Sequence, residues 1–213
     1  MKRLLVALLL VAFAGPSAAA AKEDVFTYMG ARYGVDPWLL KAVSWQESRW
    51  HPWTVNMAGE SFYLKDKAAA VALIKKSYNN PWIVVLKLKN GQTDRHLMSS
   101  EALAYRRGRG LDVKSFRIVK VDPGRFDVGL MQIHWYYHGK EVPSLDRLFD
   151  PDYNVAYGAR YLADLINEHG LSKAVGYYHS RDTTRRIRYT ADVLGWYRAL
   201  TSRPTFKTVA ASG

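Results

Sequence analysis

The sequence DPWLLKAVSWQESRW, residues 36–50, predicts an amphipathic helix around which the rest of the chain can be arranged. Asp36 is a suitable N-cap, because its carboxylate accepts hydrogen bonds from the first free backbone N–H groups. Pro37 suits the first helical position, where no N–H donor is needed. Leu40 and Glu47 stand seven residues apart, or two turns, so they share one face of the helix.

An acidic residue on an apolar helix face, close to the C-terminus of the helix, is the unusual feature of this stretch. Burial disfavours the charged carboxylate, and the negative end of the helix dipole acts in the same direction, so both effects raise the pKa of Glu47. A carboxyl group that stays protonated near neutral pH can act as a general acid. The alternative is a surface Glu47 that extends into solvent or pairs with a basic side chain.

The first 21 residues have the composition of a cleavable signal peptide. Basic residues at positions 2 and 3 precede an apolar run, and small residues fill positions 17–21. The apolar run is too short for a transmembrane helix, and we expect cleavage close to position 20 or 21. No later segment is long and apolar enough to cross a membrane, so we expect no membrane span after cleavage.

The composition of the chain bounds its class. Its 213 residues are 48% hydrophobic and 23% charged, which is typical of one folded domain or of a domain with a subdomain. The chain has no cysteine, and the mature protein therefore has no disulfide and no lipid-anchored cysteine. With the signal peptide, this composition favours a bacterial periplasmic protein.

The net charge of +12 predicts polyanionic surroundings such as cell-wall polymer or anionic lipid. No nucleic-acid recognition motif accompanies this charge, and the run RRGR at 106–109 fits a solvated loop, so we expect no nucleic-acid partner. His134 and His138 stand four residues apart but lack the partner pattern of a metal site. We therefore expect no metal ion and no cofactor.

The periodicity predicts a mainly helical protein with one inserted segment of mixed structure. The predicted helices outside that segment are 22–33, 36–50, 150–170, 173–178 and 185–200.

The pattern changes between positions 59 and 124, where we predict helices at 66–78 and 102–107 and strands at 82–89 and 116–121. The chain is thus predicted to form a domain of residues 22–202 with an α+β subdomain inserted at about 59–124. We expect a flexible tail at 203–213.

Four short motifs together resemble those of the soluble lytic transglycosylases, whose catalytic domain has a goose-type, lysozyme-like fold. In chain order they are Glu47-Ser48-Arg49-Trp50-His51-Pro52, Gly129-Leu130-Met131-Gln132-Ile133, Asn154-Val155 with Gly158, Tyr161 and Leu162, and the segment Ala174–Tyr178. Each motif falls on the element that the periodicity predicts for it, and the stretch from the first motif to the last spans about two-thirds of the mature chain.

The resemblance implies an enzyme that cleaves the β-1,4 bond between MurNAc and GlcNAc in peptidoglycan. Glu47 would first protonate the leaving glycosidic oxygen and then take the proton of the MurNAc 6-hydroxyl, which closes a 1,6-anhydro ring. The N-acetyl group of the sugar can stabilise the cation, so the resemblance implies no second carboxylate, in contrast to most glycosidases.

The resemblance also implies a set of substrate-binding residues: Ser48, Met131, Gln132 and Tyr178. Gln132 would hydrogen-bond an acetamido group of the sugar, and Met131 would form an apolar wall of the cleft. The phenol of Tyr178 would orient Glu47. Met131 also fits a core position on its sequence alone.

Two features depart from the family pattern. Gly129 lies 82 residues after Glu47, and this long interval resembles that of insertion-bearing relatives associated with conjugation, secretion and pilus machines. Proteins of such a machine are therefore candidate partners beside peptidoglycan itself. The second departure is Tyr178-His179-Ser180, where the wider family has Tyr-Asn-Ala-Gly or a close variant.

Two rival functions stay open from the sequence. A hydrolytic muramidase would use Asp127 or Glu60 to position water, and its products would carry reducing ends instead of anhydro sugars. A non-catalytic assembly protein that binds peptidoglycan would keep its function after Glu47→Ala.

Overall fold

The computed structural model describes residues 24–202. The predicted signal peptide, 1–21, and the predicted tail, 203–213, lie outside the described residues.

Within this range the chain forms nine helices and seven short strands, and the prediction of a mainly helical, lysozyme-like fold is confirmed. The elements in order are α1 Val25–Tyr33, α2 Pro37–Ser48, β1 Thr54–Met57, β2 Glu60–Tyr63, α3 Lys67–Asn79, β3 Trp82–Leu88, β4 Thr93–Met98, α4 Glu101–Gly108, β5 Val113–Lys120, β6 Phe126–Val128, β7 Ile133–His134, α5 Trp135–His138, α6 Leu145–Leu148, α7 Pro151–His169, α8 Leu171–His179 and α9 Thr183–Thr201.

Helix α2 begins as the sequence predicts. The Asp36 carboxylate accepts a hydrogen bond from the Trp38 N–H at 2.7 Å, and Pro37 occupies the first turn. The helix ends at Ser48 because Arg49 takes a left-handed conformation, with φ of 56°. Leu40 is fully buried, so the face of α2 that also carries Glu47 points into the protein.

Helix α7 lies at the centre of the helical core. It packs against α1 and α8, α8 packs against α9, and α9 returns to α2. The inward residues of α7 are fully buried, among them Val155, Ala159 and Leu162. This arrangement brings α9, the last helix, alongside α2, so residues far apart in sequence meet near Glu47. None of the helices between residues 24 and 202 has both the length and the apolar character of a membrane span.

A four-stranded antiparallel sheet, in the order β2-β1-β6-β7, packs beside the helices. Val55 of β1 pairs with Val128 of β6, and both side chains are fully buried in the main core. The next pair along these strands is Asn56 with Asp127. The carboxylate of Asp127 lies close enough to Glu47 of α2 for its charge to act on it.

A second sheet, in the order β4-β3-β5, forms a separate layer with α3 and α4, which we call the inserted layer (Lys67–Lys120). Successive residues of β3 point to opposite faces. Val84 packs in a small cluster with Ala104 of α4, whereas Ile83 joins the main core with Ile74 of α3. The layer lies within the predicted insertion at 59–124, but β2, which also falls in that range, belongs to the first sheet.

Glu60 of β2 connects the two sheets. Its side chain is 1% exposed, and it forms ion pairs with Arg95 of β4, at 2.8 Å, and with Arg117 of β5. Both arginines pair in register with Val85 of β3, so the three residues form one row across the second sheet. Because a carboxylate so buried needs opposite charges, this contact fixes the inserted layer to the core sheet.

Candidate active site

Glu47 lies in the last turn of α2 and opens onto a cleft of about 440 Å³, the Glu47 cleft. Its side chain is 15% exposed. Residues from α2, α8 and α9 line this space, namely Gln46, Glu47, His179, Arg185, Arg188, Tyr189 and Asp192.

The phenol of Tyr189 holds the carboxyl group of Glu47. Its hydroxyl donates a hydrogen bond to Oε1 of Glu47 at 2.5 Å, and the Tyr189 side chain is buried. The contact joins two residues 142 positions apart, and it depends on the packing of α9 against α2. Nearby, the Trp196 indole donates to the Gln46 side chain at 3.0 Å, which fixes the same pair of helices a second time.

Burial raises the pKa of Glu47 from 4.5 to about 8. The hydrogen bond from Tyr189 stabilises the carboxylate and lowers the pKa, whereas the negative charge of Asp127 raises it, and removal of water is the largest effect. The group therefore carries its proton at neutral pH and is a candidate general acid.

His179 stands beside the same carboxyl group. Its ring lies parallel to the Tyr189 ring, with centroids 4.5 Å apart, and its Nδ1 is 3.9 Å from Oε1 of Glu47. Loss of water lowers the pKa of His179 from 6.5, the nearby charge of Asp127 opposes this effect, and that of Arg185 reinforces it. The imidazole is therefore neutral at pH 7. The departure from the family pattern at this position thus falls in the cleft itself.

Asp127 of β6 lies close enough for its charge to act on both Glu47 and His179. Its Oδ1 is 2.6 Å from Nδ1 of His134 on β7, so the carboxylate is already held by one neighbour. Among residues 24–202, no group of three or more His, Asp and Glu side chains is arranged to hold a metal ion.

Two of the predicted sugar contacts, Ser48 and Met131, are fully buried. The Ser48 hydroxyl contacts the carbonyl oxygen of Leu130 at 2.8 Å, in the layer of protein behind the cleft. The Met131 side chain packs against Gly158 of α7, where a Cβ would approach it to 2.7 Å. Both side chains therefore pack in the protein interior behind the cleft and do not form part of its surface.

Gln132 is half-buried and takes a left-handed conformation, with φ of 47°. Its amide nitrogen donates hydrogen bonds to the carbonyl oxygens of Gly129, at 2.8 Å, and Thr54, at 3.2 Å. These bonds fix the turn between β6 and β7 to the start of β1, so Gln132 has a structural task alongside its predicted role as a sugar contact.

Tyr178 donates its hydroxyl to the carbonyl oxygen of Met131 at 2.8 Å. Tyr178 lies close enough for the charge of Glu47 to act on its phenol, but the hydrogen bond to Glu47 that would orient the carboxyl group comes from Tyr189 instead. The helical period places Tyr189 on the inner face of α9, but only the packing of α9 on α2 identifies the partner of its hydroxyl.

The sequence reasoning also missed the task of Asn154, which is buried at the start of α7. Its Oδ1 accepts from the Met131 N–H at 2.7 Å, and its Nδ2 donates to the carbonyl oxygens of Val128 and Leu148 at 3.0 and 2.9 Å. Gly129, with φ of 83°, leaves room for this amide, because a Cβ there would come within 2.2 Å of it. Asn154 thus holds the loop whose Leu130 carbonyl oxygen accepts hydrogen bonds from Ser44 and Ser48 of α2.

Comparison with known protein families agrees with this arrangement. A family model described as "Transglycosylase SLT domain" matches residues 24–191, which include all four sequence motifs and every residue named around Glu47 except Asp192 and Trp196. The corresponding comparisons with curated proteins and with solved structures give no match. The chain therefore belongs to the transglycosylase SLT domain family and is a peptidoglycan lytic transglycosylase, a lyase of glycosidic bonds.

Proposed function

We propose that Glu47 cleaves the β-1,4 bond between MurNAc and GlcNAc, first as an acid and then as a base, and that the product carries 1,6-anhydro-MurNAc. The observation that supports this proposal is the buried carboxyl group of Glu47, whose pKa is raised to about 8 at the wall of an open cleft.

In the first step Glu47 gives its proton to the glycosidic oxygen, and GlcNAc leaves with a free 4-hydroxyl. The positive charge that develops at C1 of MurNAc is shared with the N-acetyl oxygen. The Glu47 carboxylate then removes the proton of the 6-hydroxyl while the oxygen of that hydroxyl bonds to C1. The cycle returns Glu47 to its protonated form without water and without a second carboxylate.

The surroundings of Glu47 suit both steps. Tyr189 donates to Oε1, and His179 is also closest to Oε1, so Oε2 is available to carry the proton to the substrate. The Tyr189 hydrogen bond stabilises the carboxylate that exists between the two steps. Burial favours the protonated form before the first step, so the site supports the acid and the base in turn.

The rival mechanism is hydrolysis, and Asp127 is the residue that would hold the attacking water. The negative charge of Asp127 acts on Glu47, so the Asp127 carboxylate lies near the place where the bond is cleaved. Glu60 does not suit this role, because its carboxylate is buried between Arg95 and Arg117 at the joint with the inserted layer.

Mass spectrometry of digested sacculi tests the proposal. We expect anhydro-muropeptides from the wild-type protein and none from Glu47→Gln, which keeps the shape of the side chain but cannot supply the proton. Glu101→Gln, at an exposed position on α4, is the matched control and should retain the wild-type products. Reducing ends in place of anhydro ends would favour hydrolysis through Asp127, and no product of either kind would favour a protein that only binds the wall.

We further propose that the enzyme acts in the periplasm and opens the wall locally for an envelope-spanning machine. The leader-like composition of residues 1–21 and the net charge of +12 support the location. The inserted layer supports the association with a machine, by resemblance to insertion-bearing relatives. Mass spectrometry of the N-terminal peptide of the protein recovered from a periplasmic fraction tests the location. Affinity capture from cross-linked envelopes tests the association with a machine.

A further inference from the structure

The wall of the Glu47 cleft that α9 forms carries two arginines, Arg185 and Arg188. They stand three residues apart on one helix face, and both side chains are exposed. In the described part of the chain, neither guanidinium lies within 4.0 Å of a carboxylate. By contrast, the neighbouring Arg186 donates to Thr183 at 3.0 Å and covers the Tyr177 ring at 4.2 Å. The two cleft arginines are thus the ones left available on this helix turn.

The charges around the cleft favour an anion next to these arginines. Glu47, with its pKa raised to about 8, is neutral at pH 7, and so is His179, whose pKa is lowered. Arg185 lines the cleft, and its positive charge lies close enough to act on His179. On the α9 wall the two arginines face one carboxylate, Asp192. Asp127, whose negative charge also acts on Glu47 and His179, lies on β6 and is not among the residues that line the cleft, so the α9 wall itself carries an excess of positive charge.

The chemistry of the substrate indicates which anion can reach this point. A guanidinium presents a planar pair of N–H donors that matches a carboxylate. The uncharged sugar rings of the glycan offer no such group, and its carboxylates lie on the lactyl arm at O3 of MurNAc. That arm ends in its own carboxylate when the strand is free of peptide, and it carries the carboxylates of the stem peptide when the peptide is attached. MurNAc is the sugar that reacts at Glu47, so its lactyl arm lies beside the acid.

We propose that Arg185 and Arg188 form a subsite for a carboxylate carried on the lactyl arm of the MurNAc residue next to Glu47. This assignment rests on the proposed function. The subsite orients the reacting sugar through a group that chitin lacks, and it therefore distinguishes peptidoglycan from chitin by charge as well as by shape.

Calorimetry measures ligand binding to the inactive Glu47→Gln protein and so tests the subsite without turnover. Three ligands are compared: glycan chains with stem peptides, the same chains after removal of the peptides, and chitotetraose. We expect Arg185→Gln and Arg188→Gln each to weaken binding of a carboxylate-bearing ligand about tenfold relative to chitotetraose. A loss confined to peptide-bearing chains assigns the stem peptide as the source of the carboxylate, and a loss confined to peptide-free chains assigns the lactyl group.

Two further variants make the result independent of folding defects. Arg198→Gln removes the same charge from an exposed position on α9 outside the cleft, and it should leave all three affinities unchanged. Asp192→Asn removes the competing negative charge from the cleft wall, and it should strengthen binding of the carboxylate-bearing chains about two- to fivefold. A gain of affinity cannot result from partial unfolding.

Equal affinities of the arginine variants and the parent protein for all three ligands would overturn the subsite. So would an equal loss for chitotetraose, because that ligand has no carboxylate. The proposed function fails separately, when the wild-type protein yields no anhydro-muropeptides. If the wild-type protein yields anhydro-muropeptides but Arg185→Gln and Arg188→Gln bind all three ligands as the parent does, the proposed function is supported and only the subsite is contradicted.

Discussion

The rings of His179 and Tyr189 lie parallel, with centroids 4.5 Å apart, and both direct a polar atom toward Oε1 of Glu47. Tyr189 supplies a hydrogen-bond donor at 2.5 Å, and His179 supplies a titratable nitrogen at 3.9 Å. One oxygen of the candidate acid is thus positioned by two helices, α8 and α9, that follow it in sequence by more than 120 residues. The contributions of the two rings can be separated by substitution.

Tyr189→Phe removes the hydroxyl and keeps the ring. The lost hydrogen bond stabilises the carboxylate, so we expect the pKa of Glu47 to rise and the alkaline limb of the pH–rate profile to move to higher pH. The rate should fall about tenfold or more, since the carboxyl group loses its orientation. Tyr178→Phe is the control, because the Tyr178 hydroxyl bonds Met131 and not Glu47. An alkaline limb that moved with Tyr178→Phe and not with Tyr189→Phe would contradict this assignment.

His179→Phe keeps a flat ring against Tyr189 but removes the titratable nitrogen. In the wild type, protonation of His179 below its lowered pKa places a cation 3.9 Å from Glu47 and close to the positive charge that develops on the sugar. The cation repels the positive charge on the sugar and makes the Glu47 carboxylate a weaker base for the second step, so the wild-type rate should fall on the acid side. We expect His179→Phe to extend the plateau to lower pH, measured as kcat/KM across the pH range. The same acid limb in both proteins would assign it to another group.

Glu47→Gln should change the pH dependence of stability as well as the activity. Between pH 4.5 and about 8 the folded protein keeps a proton on Glu47 that the unfolded chain releases, so the wild type loses stability as the pH rises. The variant has no such proton. We expect nearly equal stabilities at pH 4 and an advantage of ~2–5 kcal/mol for the variant at pH 9, measured by urea unfolding. An equal difference at both pH values would show that the Glu47 carboxyl group is not desolvated.

Glu60→Gln tests the joint between the two sheets. The substitution leaves Arg95 and Arg117 without their shared carboxylate, and we expect a loss of about 3 kcal/mol in the free energy of unfolding. The products from sacculi should keep their wild-type chemistry, because Glu60 lies outside the cleft. Glu168→Gln, on an exposed carboxylate of α7, is the stability control. Full stability combined with a changed product would instead place Glu60 in the reaction.

Local signals were sufficient for much of the helical fold. Helix α7 begins at Pro151, after the cap Asp150, and ends before Gly170, as the sequence predicts. The hairpin of β1 and β2 escaped prediction because its strands have four residues each and its turn needs positive φ at Ala58 and Gly59. Strand β4 escaped because it lies at a sheet edge, where TDRHLM keeps polar side chains.

The candidate site divides in the same way. Glu47 could be found from its place on an apolar face, which is a local property of α2. Ser48 follows it in the motif but projects about 100° further round the helix, into the core, so adjacent residues of one motif have different surroundings. Tyr189 required knowledge of which helix packs on α2. His179 could be recognised as a departure from the family, but only the structure locates it against Tyr189.

The ion pairs of Glu60 have a consequence for the mechanics of the whole enzyme. Its carboxylate is 1% exposed, β4 and β5 supply the two guanidinium groups that neutralise it, and Ile83 and Val85 of β3 lie in the main core. Because the two sheets share these buried contacts, we expect the inserted layer and the first sheet to unfold together. A force applied to the inserted layer would therefore reach strand β2 of the host domain through these ion pairs.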